Sequence, residues 1–355
     1  NSVTFKAMPL ALASVIAVTA AAEARDQIRI VGSSTVFPFA TTVAETFGKT
    51  STFKTPVIES TGSGGGLKLF CAGVGVQHPD ITNASRRIKK SEFELCAKNG
   101  VKDIVEVKVG YDGIVIGNDN SGPDFTLSKK HIFLALAAEV PIDGKLVKNP
   151  YNNWSDVDPS LPNKPIEVIG PPPTSGTRDA FVELAMRPGA KTFIKMIAKM
   201  GKADKKSFRK ISDTMREDGK FIEAGENDNL IVKKLQANPD SLGIFGFSFL
   251  ENNTDTVKGA TVLDKVKGNK ELVGSQPTFE NIASGKYGIS RSLYFYVKSA
   301  HIGVVPGIEE YVAEFTSDKA FGDDGYLADK GLIPMGSEER EKYSAAAANK
   351  TNLKM

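Results

Sequence analysis

The sequence IRIVGSST at residues 28–35 contains the pattern that decides the fold. A short apolar run ends in a turn of Ser, Gly and Thr, and a helical pattern follows at once. The same arrangement recurs in VIESTGSGGG at 57–66 and in IEVIGPPPTSGT at 166–177. Backbone N–H groups are free at a helix start, and together with neighbouring hydroxyls they attract anions. Three such turns predict helix starts that converge on one small anion.

Between and beyond these turns, strand-like apolar runs alternate with helical patterns, which predicts an α/β fold. Pro38 stands near the first helical position after the first turn, and Phe39, Val43 and Phe47 recur every four residues on one face. The basic helical stretch at 191–210 favours a solvated face.

Two other helical patterns have recognisable starts or faces. Ser91 is predicted to begin a helix in which Glu94 completes a capping box. Residues 178–186 form a second predicted helix, and its inner face includes Phe181 and Leu184.

Length and composition limit the classes of protein to consider. A chain of 355 residues exceeds the usual size of one domain, which predicts two. Apolar residues make up 41% and charged residues 25%, as in ordinary folded proteins. The net charge of +3 is too small to indicate a nucleic-acid partner. An anion would therefore be bound by a local site and not by a global field.

The first 24 residues are predicted to be a signal peptide. Lys6 precedes an apolar run at 7–22, and Ala22-Glu23-Ala24 matches a small-x-small cleavage site. The run is shorter than the roughly 20 residues that span a bilayer. We expect cleavage after Ala24 and export, with an uncleaved anchor as the alternative.

The two cysteines are Cys71 and Cys96. An exported pair usually forms a disulfide. Two free buried thiols are one alternative. A metal site is another, although His78, His131 and His301 make no ligand pair with either cysteine.

Four motifs, in order and with these gaps, carry a resemblance to a known family. They are GSSTVFP at 32–38, TGSGGG at 61–66, NASR at 83–86 and TSGTRDAF at 174–181. The chain resembles the periplasmic phosphate-binding protein of the high-affinity phosphate ABC transporter. Lesser matches extend the resemblance over nearly the whole mature chain, at WSD 154–156, at 238–246 and at SRSLYFYV 290–297.

The resemblance implies a fold, a ligand and a location. The fold is a two-lobed periplasmic binding protein of a type II-like class, with two crossing strands between the lobes. Lobe I would comprise residues 25–111 plus 290–355, and lobe II residues 112–289. A dehydrated phosphate would be held between the lobes and delivered to an inner-membrane ABC permease by a periplasmic monomer. No catalysis, cofactor, metal or nucleic acid is implied.

The matching positions imply the residues that hold phosphate. The first turn would supply the Thr35 hydroxyl and the Val36 N–H, and the second turn Ser63. The third turn would supply Ser175, Gly176 and Thr177.

Two positions depart from the pattern of some family members. Arg86 stands where those members have an aspartate, and Pro171 where they have an arginine. Arg178, directly after Ser-Gly-Thr, is predicted to compensate, because a guanidinium can donate two parallel hydrogen bonds to phosphate. The alternatives are an exposed first-turn residue for Arg178 and a surface residue for Arg86.

A phosphate site should also contain a carboxylate. Phosphate retains a proton at neutral pH and sulfate does not, so a buried acceptor would discriminate between them. Asp112 is the candidate, because Tyr111-Asp112-Gly113 lies where the chain should cross between lobes. A plain turn before Gly113 is the alternative for Asp112. The other carboxylate candidates are Asp179, Glu226 and Asp228.

Two rival functions remain open from the sequence. One is a receptor for another oxyanion, such as sulfate, molybdate or tungstate. The other is a secreted phosphatase with Ser63 or Ser175 as nucleophile, for which the sequence offers no positioned base or metal cluster.

Overall fold

The structure is a computed structural model that describes residues 25–173, 175–224, 228–266 and 268–355, except for the side chains of 228 and 229. The predicted signal peptide at 1–24 and its cleavage point lie outside the described residues. Within the described part, no helix is both long enough and apolar enough to cross a membrane.

Strands and helices alternate along the described chain, which confirms the predicted α/β class. The strands are β1 Arg29–Gly32, β2 Val57–Ser60, β3 Ile81–Ala84, β4 Ile104–Asp119, β5 Thr126–Ser128, β6 Glu139–Ile142, β7 Lys145–Lys148, β8 Val168–Gly170, β9 Phe221–Glu223, β10 Leu242–Gly246, β11 Val257–Gly259, β12 Thr261–Lys265, β13 Leu272–Ser275 and β14 Ser290–Lys298. The helices are α1 Phe37–Thr50, α2 Ser63–Phe70, α3 Lys90–Lys98, α4 Lys129–Leu136, α5 Trp154–Val157, α6 Gly176–Phe181, α7 Arg187–Lys191, α8 Ile194–Lys199, α9 Lys205–Asp213, α10 Asp228–Ala237, α11 Phe247–Glu251, α12 Phe279–Ala283, α13 Ile308–Phe315, α14 Asp318–Phe321 and α15 Ser337–Ala348.

The largest sheet has the strand order β2-β1-β3-β14-β4-β10-β8-β9, and β11 also pairs with β4. Strand β1 pairs in parallel with β2 and β3, and β8 pairs in parallel with β9 and β10. Each of the three Ser- and Gly-rich turns follows one of these parallel strands. The turns therefore lie at the carboxyl ends of strands, where ligands bind in open α/β sheets.

Strand β4 belongs to two groups of strands. Up to Gly113 it pairs with β14, and from Ile114 onward it pairs with β10. We call β1–β3, β14 and the first part of β4 lobe I, with their helices. We call β8–β11 and the second part of β4 lobe II, with theirs. The exact predicted boundaries, 25–111 plus 290–355 and 112–289, stay a prediction.

The C-terminal segment braces β4 beside this crossing. The backbones of Tyr111 and Ile333 exchange two hydrogen bonds, of 2.8 and 3.1 Å. On α15, the carboxylate of Glu339 accepts from the Tyr111 hydroxyl at 2.6 Å and from Lys108 Nζ at 2.7 Å. The strand that joins the lobes is therefore held by two backbone hydrogen bonds and by the half-buried carboxylate of Glu339.

Close packing of α2 on β1 depends on two glycines. Gly32 has φ +128°, a conformation that favours glycine. A Cβ on Gly66 would lie 2.4 Å from Gly32 Cα, so no larger side chain fits between helix and strand. The first and second turns are thereby brought to neighbouring positions.

The predicted disulfide between Cys71 and Cys96 is confirmed. It joins the end of α2 to α3 across a sequence separation of 25 residues, and both cysteines are buried. Closing a loop of this length stabilises the fold by about 3 kcal/mol on the chain-entropy model.

The basic helical stretch predicted at 191–210 is divided into separate helices. Helix α8 ends at Lys199, and Gly201, with φ +69°, follows it. Helix α9 begins at Lys205, where the Asp204 carboxylate caps the N–H groups of Lys206 and Ser207. A residue in the left-handed region ends a helix, and an aspartate cap starts the next one.

Candidate functional site

A polar cleft of about 760 Å³ lies between lobe I and lobe II. Five basic and two acidic side chains line it, together with serines, a threonine and glycines of the first two turns. The lining residues are Ser33, Ser34, Thr61, Gly62, Ser63, Gly64, Gly65, Ser85, Arg86, Asp179, Glu183, Leu184, Arg187, Lys205, Arg209 and Arg291.

The second turn presents the start of α2 to this cleft. Gly62 precedes the helix with φ +74°, and no side chain caps the first turn. The Ser63 Oγ atom accepts from Ser85 N at 3.0 Å and contacts Ser85 Oγ at 3.1 Å. The first N–H groups of α2 are thus left to donate toward an anion, while the two hydroxyls are already positioned.

The two predicted ligand groups of the first turn both make contacts within the protein. Val36 N donates to Ser33 Oγ at 3.3 Å, and Val36 is fully buried. The Thr35 hydroxyl accepts from Arg291 Nη2 at 2.5 Å. Neither Thr35 nor Val36 lines the cleft, whereas Ser33 and Ser34 do.

Arg86 lies in the cleft beside the second turn. Its guanidinium donates to both carboxylate oxygens of Glu92, at 2.8 and 2.7 Å. Glu92 Oε2 also accepts from Lys89 N at 2.9 Å, at the start of α3. Helix α3 begins at Lys90, one residue before the predicted start at Ser91. Glu92 accepts from the backbone N–H of the residue before the helix, a role that was predicted for Glu94.

Asp112 and Arg291 face each other on the two crossing strands. They are register partners on β4 and β14, and Arg291 Nε lies 3.5 Å from Asp112 Oδ2. Both atoms are buried, and neither has a hydrogen-bond partner among the described residues. Burial raises the pKa of Asp112, against the opposing attraction of Arg291. Arg291 lines the cleft, and Asp112 lies behind it.

The third turn lies at the start of α6 in lobe II, and Thr174 is outside the described residues. Ser175 Oγ accepts from Thr177 N at 3.2 Å, and a Cβ on Gly176 would meet open space. None of Ser175, Gly176 and Thr177 lines the cleft, although Asp179 on the same helix does.

Arg178 also lies outside the cleft lining. Its Nη1 atom donates to the Pro171 carbonyl at 3.0 Å, and its guanidinium lies 4.7 Å from the centre of the Phe221 ring. Glu223 Oε1 is 3.6 Å away. Burial lowers the pKa of Arg178, against the attraction of Glu223.

Sequence reasoning missed several cleft residues. Arg291 lies in a matched motif, but its place beside Thr35 depends on strand pairing across 256 residues of sequence. Glu183 lies in a π-helical segment, Val182–Met186, that joins α6 to α7. Lys205 and Arg209 lie in the stretch that was interpreted as a solvated face. A local pattern carries no signal for these contacts.

The remaining carboxylate candidates differ in what the structure describes. Asp179 lines the cleft, and burial raises its pKa. Glu226 and the side chain of Asp228 lie outside the described part. Across the described residues, no group of three or more His, Cys, Asp or Glu is arranged to hold a metal ion.

Two α/β lobes on crossing strands, with a polar cleft between them, define a protein of the solute-binding class. The family model described as the PBP superfamily domain matches residues 17–319. The chain therefore belongs to the PBP superfamily.

Individual relatives narrow the comparison. The protein SphX from Synechococcus elongatus is 32% identical over 267 residues, which cover 75% of this chain and 66% of SphX. The phosphate-binding protein PstS from Staphylococcus saprophyticus is 29% identical over 299 residues, covering 84% of this chain and 78% of that protein. A solved structure, a possible phosphate binding protein from Planctomyces limnophilus, is 26% identical, with a TM-score of 0.71 over 92% of this chain and 99% of that chain. The chain thus spans slightly less than two thirds of SphX.

Proposed function

We propose that this protein captures inorganic phosphate between its two lobes and delivers it to an ABC-transporter permease. The observation that carries the proposal is the cleft, where the uncapped start of α2 lies beside Arg86 and Arg291. Free N–H groups and guanidinium groups are the donors that a small oxyanion needs. The name of the staphylococcal relative and the description of the similar Planctomyces structure support phosphate as that anion.

Closure of the lobes would complete the site. Lobe I supplies Ser63 and Arg86 at the cleft, with the Thr35 hydroxyl and the Val36 N–H behind them. Lobe II would bring up its own turn, which does not line the cleft in this structure. The proposed lobe II ligands are Ser175, the Gly176 N–H, Thr177 and Arg178. This is the hinge type of domain closure around a ligand.

Asp112 is the proposed acceptor for the proton that phosphate carries. Its Oδ2 atom is buried and unpartnered among the described residues, and it lies next to Arg291. A protonated phosphate oxygen can donate to a carboxylate, whereas sulfate would leave that carboxylate buried, unpaired and repelled. We therefore propose phosphate over sulfate, molybdate and tungstate as the ligand.

The serine contacts favour binding over phosphate-ester hydrolysis. Ser63 Oγ contacts Ser85, and Ser175 Oγ accepts from a backbone N–H. A serine nucleophile needs a neighbouring general base. Hydroxyls held by backbone groups and by another hydroxyl instead suit a receptor that does not change its ligand. We propose a non-enzymatic, exported, periplasmic protein that acts as a monomer.

Calorimetry with phosphate and with sulfate tests this function. We expect phosphate to bind at least about a hundredfold more tightly than sulfate, because an unmatched buried acceptor discriminates strongly. Asp112→Asn should reduce the ratio of phosphate affinity to sulfate affinity at least about tenfold. Asp255→Asn, an exposed change in lobe II, is the matched control and should leave the ratio unchanged. Equal affinity of the wild-type protein for the two anions would refute the proposal.

A further inference from the structure

Arg291 is held by groups from both sides of the cleft. Its Nη2 atom donates to the Thr35 hydroxyl of lobe I, and its Nη1 atom donates to Glu183 Oε2 of lobe II at 2.7 Å. The Arg291 side chain is only 9% exposed, while that of Glu183 is 51% exposed. The guanidinium is therefore fixed, and its carboxylate partner reaches it from the solvent side.

Two of the arginine–carboxylate pairs at the cleft, Arg86–Glu92 and Arg291–Glu183, are built differently. Glu92 binds Arg86 with both oxygens and also accepts from Lys89 N, so backbone structure holds it in place. The Glu183 carboxylate makes no hydrogen bond other than the one to Arg291 among the described residues. An exposed carboxylate with a single partner is released at low cost.

The charge of Glu183 is attracted by Arg86 and Arg187 and is repelled by Asp179. Asp179 lies on the same helical wall and also lines the cleft. Glu183 contributes, after burial, to the raised pKa of Asp179. A phosphate beside Arg291 would add negative charge to this wall and would compete with Glu183 for the same guanidinium hydrogens.

We propose that Glu183 occupies the anion position on Arg291 in the ligand-free cleft and that phosphate displaces it. Glu183 is then an affinity determinant that weakens phosphate binding, since each binding event must break its ion pair. The inference rests on the proposed phosphate function. It assigns the Glu183–Arg291 pair to the ligand-free protein, in contrast to a latch that would hold the lobes closed around the ligand.

Phosphate calorimetry on Glu183→Gln tests the inference. Exposed ion pairs contribute little, so we expect phosphate to bind about three- to fivefold more tightly to the variant. Glu45→Gln on α1 is the matched control, because it removes the same charge from an exposed position outside the cleft. It should leave the phosphate affinity unchanged. Urea unfolding of the free Glu183→Gln protein should show a free energy of unfolding lowered by no more than the small amount that the variant gains in phosphate binding.

The outcomes separate this inference from the function it rests on. No phosphate binding by the wild-type protein would refute the proposed function. Wild-type binding with an equal or weaker affinity of Glu183→Gln would overturn the displacement alone, and a weaker affinity would identify Glu183 as a closing latch. An equal gain in phosphate affinity in Glu45→Gln would assign the effect to net charge and would also overturn the proposed displacement of Glu183.

Discussion

At the scale of single residues, the site is defined by how each arginine is held. Arg86 and Arg291 line the cleft with carboxylate partners, and Arg178 lies behind the third turn against Phe221. A guanidinium gains little from a new anion if its present partner is equally good. The affinity for phosphate therefore depends on which of these partners can be exchanged.

Arg178 is the first residue to test. Its hydrogen-bond acceptor, the Pro171 carbonyl, is neutral, and the Glu223 carboxylate 3.6 Å away is half exposed, so a phosphate would offer a stronger, charge-assisted bond. We expect Arg178→Ala to weaken phosphate binding at least about tenfold in calorimetry. Arg29→Ala, at the opposite end of β1 from the first turn, is the control. An unchanged dissociation constant for Arg178→Ala would remove this residue from the proposed site.

Lys298 gives a prediction about pH. It is buried in lobe I, where Nζ donates to the carbonyl oxygens of Gly73 and Pro79 at 2.7 and 2.9 Å. Burial lowers its pKa from 10.5 to about 8, against the attraction of Asp80. When the pH lies between these two pKa values, Lys298 is protonated in the unfolded chain and deprotonated in the folded chain. The Lys298 contribution to the free energy of unfolding therefore rises with pH across that window.

Urea unfolding between about pH 7.5 and 9.5 measures this contribution. We expect Lys298→Met to be less stable overall and to lack the part of the rise that the wild-type protein owes to Lys298. Lys210→Met, an exposed change on α9, should keep the wild-type slope. The same slope in Lys298→Met as in the wild type would contradict the prediction.

At the scale of elements, local pattern and long-range packing determine different parts of the site. The turns at 32–35 and 61–66 were predictable, because strand, turn and helix start follow one another in the sequence. The contact of Glu183 with Arg291 joins elements 108 residues apart and was not predictable from either segment. The wide turn of the π-helical segment has no sequence signature, although such segments are frequent at functional sites.

The position of α9 at the cleft was not predictable from the sequence of this segment. A run of lysines and arginines in one continuous helix predicts a face exposed to solvent. The break at Gly201 redirects the chain, so that Lys205 and Arg209 line the cleft while the lysines of α8 do not. The position of the break depends on tertiary structure, and so does the function of the charges beyond it.

The cationic side chains of α9 should accelerate phosphate capture. We expect the double variant Lys205→Gln/Arg209→Gln to bind phosphate several-fold more slowly at low salt in stopped-flow experiments, because charges lining a cleft steer anions into it. The difference from the wild-type rate should shrink at high ionic strength.

A matched control for this variant lies on α8. Lys195→Gln/Lys199→Gln has the same charge change and the same spacing, but these exposed residues do not line the cleft. It should keep nearly the wild-type association rate. Equal slowing by both double variants would assign the effect to net charge and not to the cleft wall.

At the scale of the whole molecule, the strands β4 and β14 connect two lobes that carry different parts of the proposed site. The brace from Ile333 and Glu339 fixes β4 just before the crossing, so relative motion is expected beyond it, from Gly113 onward. The two-lobed class followed from the order of motifs in the sequence. The arrangement of the two lobes did not, because the position of the third turn relative to the first two depends on the angle between lobes.

A crystal structure of the protein with bound phosphate tests the central claim most directly. We predict one phosphate between the lobes, contacting Ser63 at the start of α2 and the Gly176 N–H at the start of α6. Glu183 should then be displaced from Arg291. A phosphate held by one lobe alone, with the Ser175–Thr177 turn making no contact to it, would contradict capture between the lobes.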